Sequence, residues 1–232
     1  MEFNKKQSAL LYLDKLGFYY YQEGLLNVVS LGFLETSVKD MDVINGASIK
    51  NQIKAFIDQY QITPASVTII LSPNVTFEKD LVGFGKEEET EQVKKFVDTI
   101  PFESVLSKVF PIANGVKVVG CNDDLYTELK MGFENNKFTV TSIVPYQLLG
   151  NDQALIQNLT IENAAQLLKR LDRLKQFSLV AEQKDKPAIS TSSTQTNTIT
   201  EKPKSNKPRL YAMAGIFVVL FIILGYMLLH MK

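Results

Sequence analysis

The sequence predicts an α/β domain with a mixed sheet, followed by one C-terminal transmembrane helix. Three short apolar runs near the start are separated by turn residues at hairpin spacing, which is typical of antiparallel strands. A helical pattern and a continuous apolar strand come next, as expected where strands of one sheet alternate with helices. Near the other end, residues 210–229 are uncharged and apolar, and as a helix they would cross a bilayer core of about 30 Å.

The first half of the domain begins with a meander. Three strands are expected, at residues 8–13, 18–22 and 25–34. Ser48 is then expected to cap a helix whose apolar residues recur at helical spacing as far as Tyr60. Residues 67–71 (VTIIL) are all apolar or β-branched, which predicts an inner strand covered on both faces.

A second group of elements follows that strand. Its members are expected near residues 75–81 (strand), 87–99 (helix), 104–112 (strand) and 115–121 (strand). The helix begins with an acidic cluster, which suits the positive end of the helix dipole, and Glu91 can pair with Lys95. A metal or acid–base role is the alternative interpretation of that cluster.

The chain then returns to larger elements. Asp123 or Asp124 is expected to cap a helix that ends near Asn135, and residues 138–144 predict a strand. Residues 161–177 predict one long helix with a leucine-rich side. That side is expected to close the domain's own core, and binding of a partner is the alternative.

The segment before the apolar run has the composition of a flexible tether. Most of residues 190–200 are Ser or Thr, so residues 183–209 are expected to form a disordered linker. Its end is basic, with Lys202, Lys204, Lys207 and Arg209, which predicts that the preceding domain is cytoplasmic and that these side chains meet lipid headgroups. A glycosylated extracellular stalk has a similar composition, but no signal-peptide pattern supports that alternative.

The composition argues against several functional classes. Basic and acidic residues balance at 25 each, so no field of one sign indicates a nucleic-acid partner. The single histidine, His230, follows the apolar run, and the single cysteine, Cys121, has no histidine near it in the sequence and is expected to be a small buried side chain. No metal cluster, P-loop or dinucleotide motif is present, so we expect no catalytic residue, no metal and no cofactor.

The order of elements resembles the first half of the actin-like (RNase H-like) ATPase fold, as found in the type IV pilus protein PilM, the type II secretion protein GspL and the division protein FtsA. Four segments carry the resemblance: residues 67–73 (VTIILSP), 93–105 (VKKFVDTIPFESV), 115–121 with the helix after it, and 138–145 (FTVTSIVP). The resemblance covers about residues 8–150 and implies a domain over residues 1–180, with an inserted α+β subdomain at about residues 74–122.

The nucleotide site of that fold needs a first hairpin with small residues beside an Asp and a Gly, because backbone amides must approach the phosphates. Here Asp14 and Gly17 are a degenerate candidate, since bulky Leu16, Phe18 and Tyr19 replace the small residues. The resemblance also ends before the second half of the fold. We therefore expect neither ATP hydrolysis nor a bound nucleotide.

These observations predict a non-catalytic scaffold in a type IV pilus or type II secretion assembly platform. The anchor would run from Leu210 to Leu229 in the inner membrane as a single pass. The resemblance implies PilN-like or GspE-like partners, and the oligomeric state stays open. The alternatives are a tail-anchored cytoplasmic adaptor of unrelated function and an ATP-binding actin-like protein.

Overall fold

A computed structural model describes residues 7–180 of the chain. Within this range, no helix combines the length and the apolar character that crossing a bilayer requires. The linker predicted at residues 183–209 and the transmembrane helix predicted at residues 210–229 lie outside the described residues.

The described residues form ten strands and six α-helices. The strands are β1 (Ser8–Asp14), β2 (Gly17–Gln22), β3 (Val29–Gly32), β4 (Val38–Lys39), β5 (Asp42–Val43), β6 (Ser66–Leu71), β7 (Thr76–Val82), β8 (Val105–Ile112), β9 (Gly115–Asn122) and β10 (Thr139–Pro145). The helices are α1 (Gly46–Tyr60), α2 (Lys86–Val97), α3 (Asp123–Glu134), α4 (Gln153–Gln157), α5 (Ile161–Leu168) and α6 (Leu171–Leu174).

The main sheet has five strands in the order β10-β6-β1-β2-β3. β1, β2 and β3 are antiparallel neighbours, whereas β6 and β10 run parallel to β1 on its other side. Parallel neighbours need a crossover, which α1 supplies before β6 and α3 supplies before β10. The predicted α/β class with a mixed sheet is confirmed.

Both faces of the main sheet are covered, which explains its apolar central strands. On one face, α1 and α3 enclose a cluster of rings in which Phe18 and Phe56 lie 5.1 Å apart between centroids and Tyr20 stacks on Phe133 at 6.0 Å. On the other face, α4, α5 and α6 cover Leu10 and residues of β6 and β10. Alternate residues of the central strands β1 and β6 therefore contribute to two separate cores.

A second sheet, with the strand order β7-β9-β8, lies between β6 and α3 in the sequence. On one face of this sheet, Gly120 lies against Ile100 in the loop after α2. A Cβ atom added to Gly120 would lie only 2.6 Å from Ile100 Cδ1. The other face joins the main core through Val119 and Cys121, and Cys121 is buried as predicted. The predicted pair of Glu91 and Lys95 is present on α2, with 2.8 Å between Oε1 and Nζ.

Both predicted helix caps are wrong, because an asparagine precedes each helix and caps it instead. The Asn45 side chain accepts a hydrogen bond from the Ser48 amide at 3.0 Å, so Ser48 lies in the first turn of α1. The Asn122 side chain accepts hydrogen bonds at 2.9 Å and 3.2 Å from the backbone amides of Asp124 and Leu125, which follow it in α3. Each cap is thus the asparagine at the strand-to-helix turn, and not the serine or aspartate that follows it in the sequence.

The single helix predicted at residues 161–177 is also wrong, because the chain bends between α5 and α6. Arg170, at the bend, has φ −107° and ψ 0°. Arg170 and Arg173 both contact the carboxylate of Asp152, which is 1% exposed. Asp152, in the short turn at residues 150–152, thus holds the arginines at the start of and within α6. The helix therefore does not continue straight from α5 into α6.

Residues 178–180, which we call the exit segment, tie the two sheets together. The Leu179 amide donates to the Ile143 carbonyl at 2.8 Å, and the Ile143 amide donates to Ser178 Oγ at 3.1 Å. From the second sheet, Lys108 Nζ donates to the Ser178 carbonyl at 2.6 Å. The exit segment therefore bonds to β10 of the main sheet and to β8 of the second sheet.

Candidate functional site

The candidate site lies where the three parallel strands of the main sheet end. In open α/β sheets, ligands bind outside the carboxyl ends of such strands. β1 ends there at Asp14, Ser72 and Asn74 follow β6, and Gln147 follows β10. The register confirms the convergence, because Leu71 is paired with Leu13 on one side and with Pro145 on the other.

Asp14 is the central charged group of this site. Its Oδ1 atom accepts hydrogen bonds from Ser72 Oγ at 2.6 Å and from Asn74 Nδ2 at 2.9 Å. Partial burial raises the pKa of Asp14, but these two bonds and one from the Lys15 backbone outweigh it, so the pKa lies below its ordinary value. The carboxylate is therefore charged at neutral pH and engaged by groups of the protein.

Gly17 allows β3 to approach β2 closely at this site. Asp14 and Gly17 are paired across the β1–β2 hairpin, so the structure brings the two predicted residues together. Gly17 has φ +155°, and a Cβ atom added to it would lie 2.0 Å from the carbonyl oxygen of Leu31 on β3. Only glycine fits this approach of β3 to the hairpin, and that packing explains the residue fully.

The tip of the hairpin projects away from the sheet. Leu16 is 78% exposed, and the neighbouring Lys15 lies 3.3 Å from Asp40 between Nζ and Oδ1. A bulky side chain and a surface ion pair thus stand where the nucleotide loop of the fold that the sequence resembles needs small residues.

Aromatic and amide side chains form the rest of the site. The Tyr12 and Tyr19 rings lie 6.4 Å apart, and Tyr19 is 48% exposed. Burial, followed by the nearby Asp14 charge, raises the pKa of Tyr12 to about 12. Gln147 Nε2 donates to Thr76 Oγ1 at 2.8 Å, which connects the end of β10 to the start of β7.

Sequence reasoning missed Ser72, Asn74 and Gln147 as members of the site. Asn74 stands in a glycosylation pattern, but the structure commits its amide to Asp14. The signal was available in part, because polar residues follow both predicted strands, residues 67–71 and 138–144, and the first of these was expected to be buried. What was missing was the knowledge that both strands run parallel to β1 and end beside it.

The titratable side chains at and near the site include Asp14, Tyr12 and Cys121. Within residues 7–180, no group of three or more His, Cys, Asp or Glu side chains is placed to hold a metal ion. Tyr12 stays protonated at neutral pH, and burial raises the pKa of Cys121 to about 12, so neither is a ready nucleophile. The site offers one charged carboxylate with an exposed aromatic ring beside it.

The predicted anchor residues cannot be placed in this geometry. Leu210 and Leu229, together with the basic flank of Lys202, Lys204, Lys207 and Arg209, lie outside the described residues.

Three solved structures are similar to this chain at low sequence identity. The PilM-PilN type IV pilus biogenesis complex contains a chain with 13% identity and a TM-score of 0.45, and the match covers 64% of this chain and 51% of that one. The cytoplasmic domain of EpsL, an inner membrane component of the type II secretion system of Vibrio cholerae, has 15% identity and a TM-score of 0.36, with 60% and 57% covered. A Bacteroides thetaiotaomicron protein with an actin-like ATPase fold and unknown function has 14% identity and a TM-score of 0.37, with 68% and 59% covered.

The matched structures include the pilus, secretion and actin-like classes that the sequence resemblance named. The chain spans between about half and three fifths of the length of these structures. No protein-family model matches the sequence, and no curated protein matches it either.

Proposed function

We propose that this protein is a non-enzymatic scaffold of a type IV pilus or type II secretion assembly platform. Its α/β domain faces the cytoplasm and binds partner proteins, while the apolar run at residues 210–229 holds it in the inner membrane. The sequence supports the anchor through the length of that run and the basic residues before it. The sequence resemblance to PilM and GspL supports the platform.

One observation carries the non-enzymatic part of the proposal. In the hairpin where the related fold holds phosphate, the Asp14 carboxylate is bound by Ser72 and Asn74, and Gly17 is required for the approach of β3. Both residues of the degenerate loop thus have structural partners within the domain. Exposed Leu16 leaves no small-residue cradle around them.

Nucleotide binding tests this part directly. We expect that isothermal titration of the purified full chain with ATP and magnesium gives no saturable heat at micromolar concentrations, and that no phosphate is released over hours. A nucleotide-binding ATPase studied in the same buffer is the positive control. Micromolar affinity or steady hydrolysis would show that the site is a working nucleotide site and would refute the non-enzymatic proposal.

Partner capture tests the platform assignment. Crosslinking in native membranes, followed by purification of the chain and mass spectrometry, should recover PilN-like or GspE-like proteins. A variant with residues 210–229 deleted is the matched control, because it keeps the α/β domain and lacks the proposed anchor. Recovery of unrelated proteins alone would favour the tail-anchored adaptor and count against the platform.

A further inference from the structure

One face of the main sheet is open beside the β1–β2 hairpin. The strand register places Tyr12 next to Tyr19 on this face, and Asp14 follows two residues further along β1. On the β3 side, Tyr19 is paired with Ser30, and Gly32 comes next on the same face. Both of these residues are exposed and too small to cover the Tyr19 ring, which is 48% exposed. We call Tyr12, Asp14 and Tyr19 the tyrosine shelf.

The shelf carries a negative charge that no cation of the described residues neutralises. The pKa of Asp14 is lowered, so the carboxylate is ionised at neutral pH, and its partners are the neutral side chains of Ser72 and Asn74 and one backbone amide. Lys15 follows Asp14 in the chain, but its Nζ atom lies 3.3 Å from Asp40 Oδ1. Within residues 7–180, Asp14 therefore takes part in no ion pair.

This charge restricts what can bind at the shelf. A phosphate or another anion would be repelled by the carboxylate, and an apolar group would cover the charge without neutralising it. A metal ion needs several ligands, and the part of the chain that the structure describes has no group of three or more His, Cys, Asp or Glu side chains placed to supply them. An organic cation fits both parts of the shelf, because it pairs with a carboxylate and is attracted to the face of an aromatic ring.

We propose that the tyrosine shelf binds an arginine or lysine side chain of a partner protein, with the cation beside Asp14 and over the ring of Tyr19. This assignment rests on the proposed scaffold function and gives the chemistry by which the scaffold would recognise a partner. Arginine fits better than lysine, since its planar group can stack on the ring while it donates hydrogen bonds to the carboxylate.

The openness of the shelf favours a protein over a small amine. Ligand sites for small molecules are concave and bury most of the ligand, whereas the ring of Tyr19 stands half exposed on the sheet. A partner protein can add contacts around the shelf, and Leu16 at the hairpin tip, 78% exposed, offers one. Tyrosine and arginine are also enriched where proteins meet.

The contact is expected to select the partner segment more than to supply affinity. Exposed ion pairs and exposed cation–π contacts are each weak, so the rest of the interface has to hold the partner. The charge at Asp14 would determine which segment lies on the shelf.

Photocrosslinking from the shelf tests the proposal. The full chain with p-benzoylphenylalanine in place of Tyr19 keeps an aromatic ring at this position and is irradiated in native membranes. Mass spectrometry then identifies the crosslinked segment of the partner. We expect an arginine or lysine within about four residues of the crosslinked site, and its replacement by glutamine should lower the yield about fivefold or more. A segment without a cation, no crosslink at all, or an unchanged yield after the replacement would overturn the proposal.

Competition with peptides separates charge from shape. An acetylated hexaarginine peptide in excess should lower the crosslink yield at position 19 about fivefold, whereas hexacitrulline, which has the same length and planar groups without the charge, should not. The matched control carries p-benzoylphenylalanine in place of Tyr60, which is 37% exposed at the end of α1, and its crosslinks should not respond to either peptide. Equal competition by both peptides at position 19 would refute recognition of a cation.

The Asp14 charge is tested by the dependence on salt. Raising the salt from about 50 to 500 mM should lower the yield at position 19, and Asp14→Asn should remove this dependence. Asp58→Asn is the matched control, because Asp58 is an exposed carboxylate on α1, and it should keep the dependence. Salt dependence that survives Asp14→Asn would contradict the role of this charge. Circular dichroism melting verifies that each variant is folded, and the peptide competition needs no change at Asp14.

These outcomes distinguish the shelf from the platform. A crosslink that depends on a cation but leads to a protein outside the pilus and secretion classes would support the shelf and count against the platform. Recovery of platform components from native membranes, with a crosslink at position 19 that ignores charge, would support the platform and refute the shelf.

Discussion

Asp14 keeps its charge at the end of β1, while hydrogen bonds within the protein use part of its accepting capacity. Ser72 and Asn74 come from the turn after β6, so the carboxylate links the ends of two parallel strands. This role differs from the phosphate chemistry of the fold that the sequence resembles. It predicts an effect on stability that depends on pH.

The first prediction concerns Asp14→Asn. The pKa of Asp14 is lowered in the folded protein from an ordinary value of 3.8, so the folded state binds its proton less readily than the unfolded state. The stabilisation is therefore fully present above about pH 4 and is lost as the pH falls through the folded pKa. Urea titrations between about pH 2.5 and 7 should show a wild-type advantage over Asp14→Asn that shrinks toward the acid end.

Asp58→Asn is the control for the pH experiment, because Asp58 is 61% exposed and pairs only with Lys54 on the surface of α1. A difference between wild type and Asp14→Asn that stays the same at both ends of the pH range would contradict the assigned role.

The second prediction concerns Gly17→Ala. The new Cβ atom would meet the Leu31 carbonyl oxygen at 2.0 Å at a φ of +155°, so β2 and β3 must separate. We expect a loss of about 2 kcal/mol or more in the free energy of unfolding. Gly24→Ala is the control, because Gly24 has φ +98° and no atom would lie within 4 Å of its Cβ. It should lose only about 1 kcal/mol, from backbone strain alone. Equal losses would mean that close approach to β3 is unimportant.

At the scale of elements, Asp152 determines the shape of the last helical region. A leucine-rich pattern continues through residues 161–177, yet the chain bends so that Arg170 and Arg173 can both reach one buried carboxylate. Hydrophobic periodicity is blind to such a contact, because the acid lies in a short turn well before the helix in the sequence.

The third prediction is that Asp152→Asn destabilises the domain by about 2 kcal/mol, since an amide leaves two arginines without their shared anion and buries an unmatched donor. Guanidinium unfolding measured by circular dichroism should report this loss. Asp58→Asn serves again as the control and should change stability by less than about 0.5 kcal/mol, as expected for an exposed pair. A similar small change for both would mean that the bend has another cause.

The sequence was most informative where one strong pattern decided the structure. The apolar run at residues 67–71 could only be an inner strand, and it became β6 at the centre of the parallel part of the sheet. The sequence was least informative where several nearby residues could take the same role, such as the N-cap of a helix. Asn45 and Asn122 replaced the expected caps, and the β4–β5 hairpin was missed because its Asp40 and Met41 turn, with φ of 50° and 72°, uses residues without a glycine signal.

The candidate site shows the same limit. Asp14 and Gly17 could be selected from the hairpin sequence, but their partners come from segments that are distant in the chain. Ser72 and Leu31 reach them only because β6 and β3 flank the hairpin in the sheet. Strand order is a global property, and local patterns do not encode it.

At the scale of the whole molecule, the fourth prediction concerns the proposed membrane anchor at residues 210–229. Full-length chain should remain with membranes after an alkaline carbonate wash, because about 20 apolar residues hold it in the bilayer. A variant with residues 210–229 deleted should be released. Proteases added outside whole cells should leave the α/β domain intact, since the proposed orientation places it in the cytoplasm. Release of the full chain by carbonate, or digestion of the domain from outside, would contradict membrane anchoring or its orientation.

The exit segment connects the following part of the chain to both sheets by hydrogen bonds. Ser178 and Leu179 are hydrogen-bonded to Ile143 on β10, and Lys108 on β8 donates to the Ser178 carbonyl. Tension applied to the chain beyond Val180 would therefore act on the main sheet through the bonds to Ile143 and on the second sheet through the bond to Lys108.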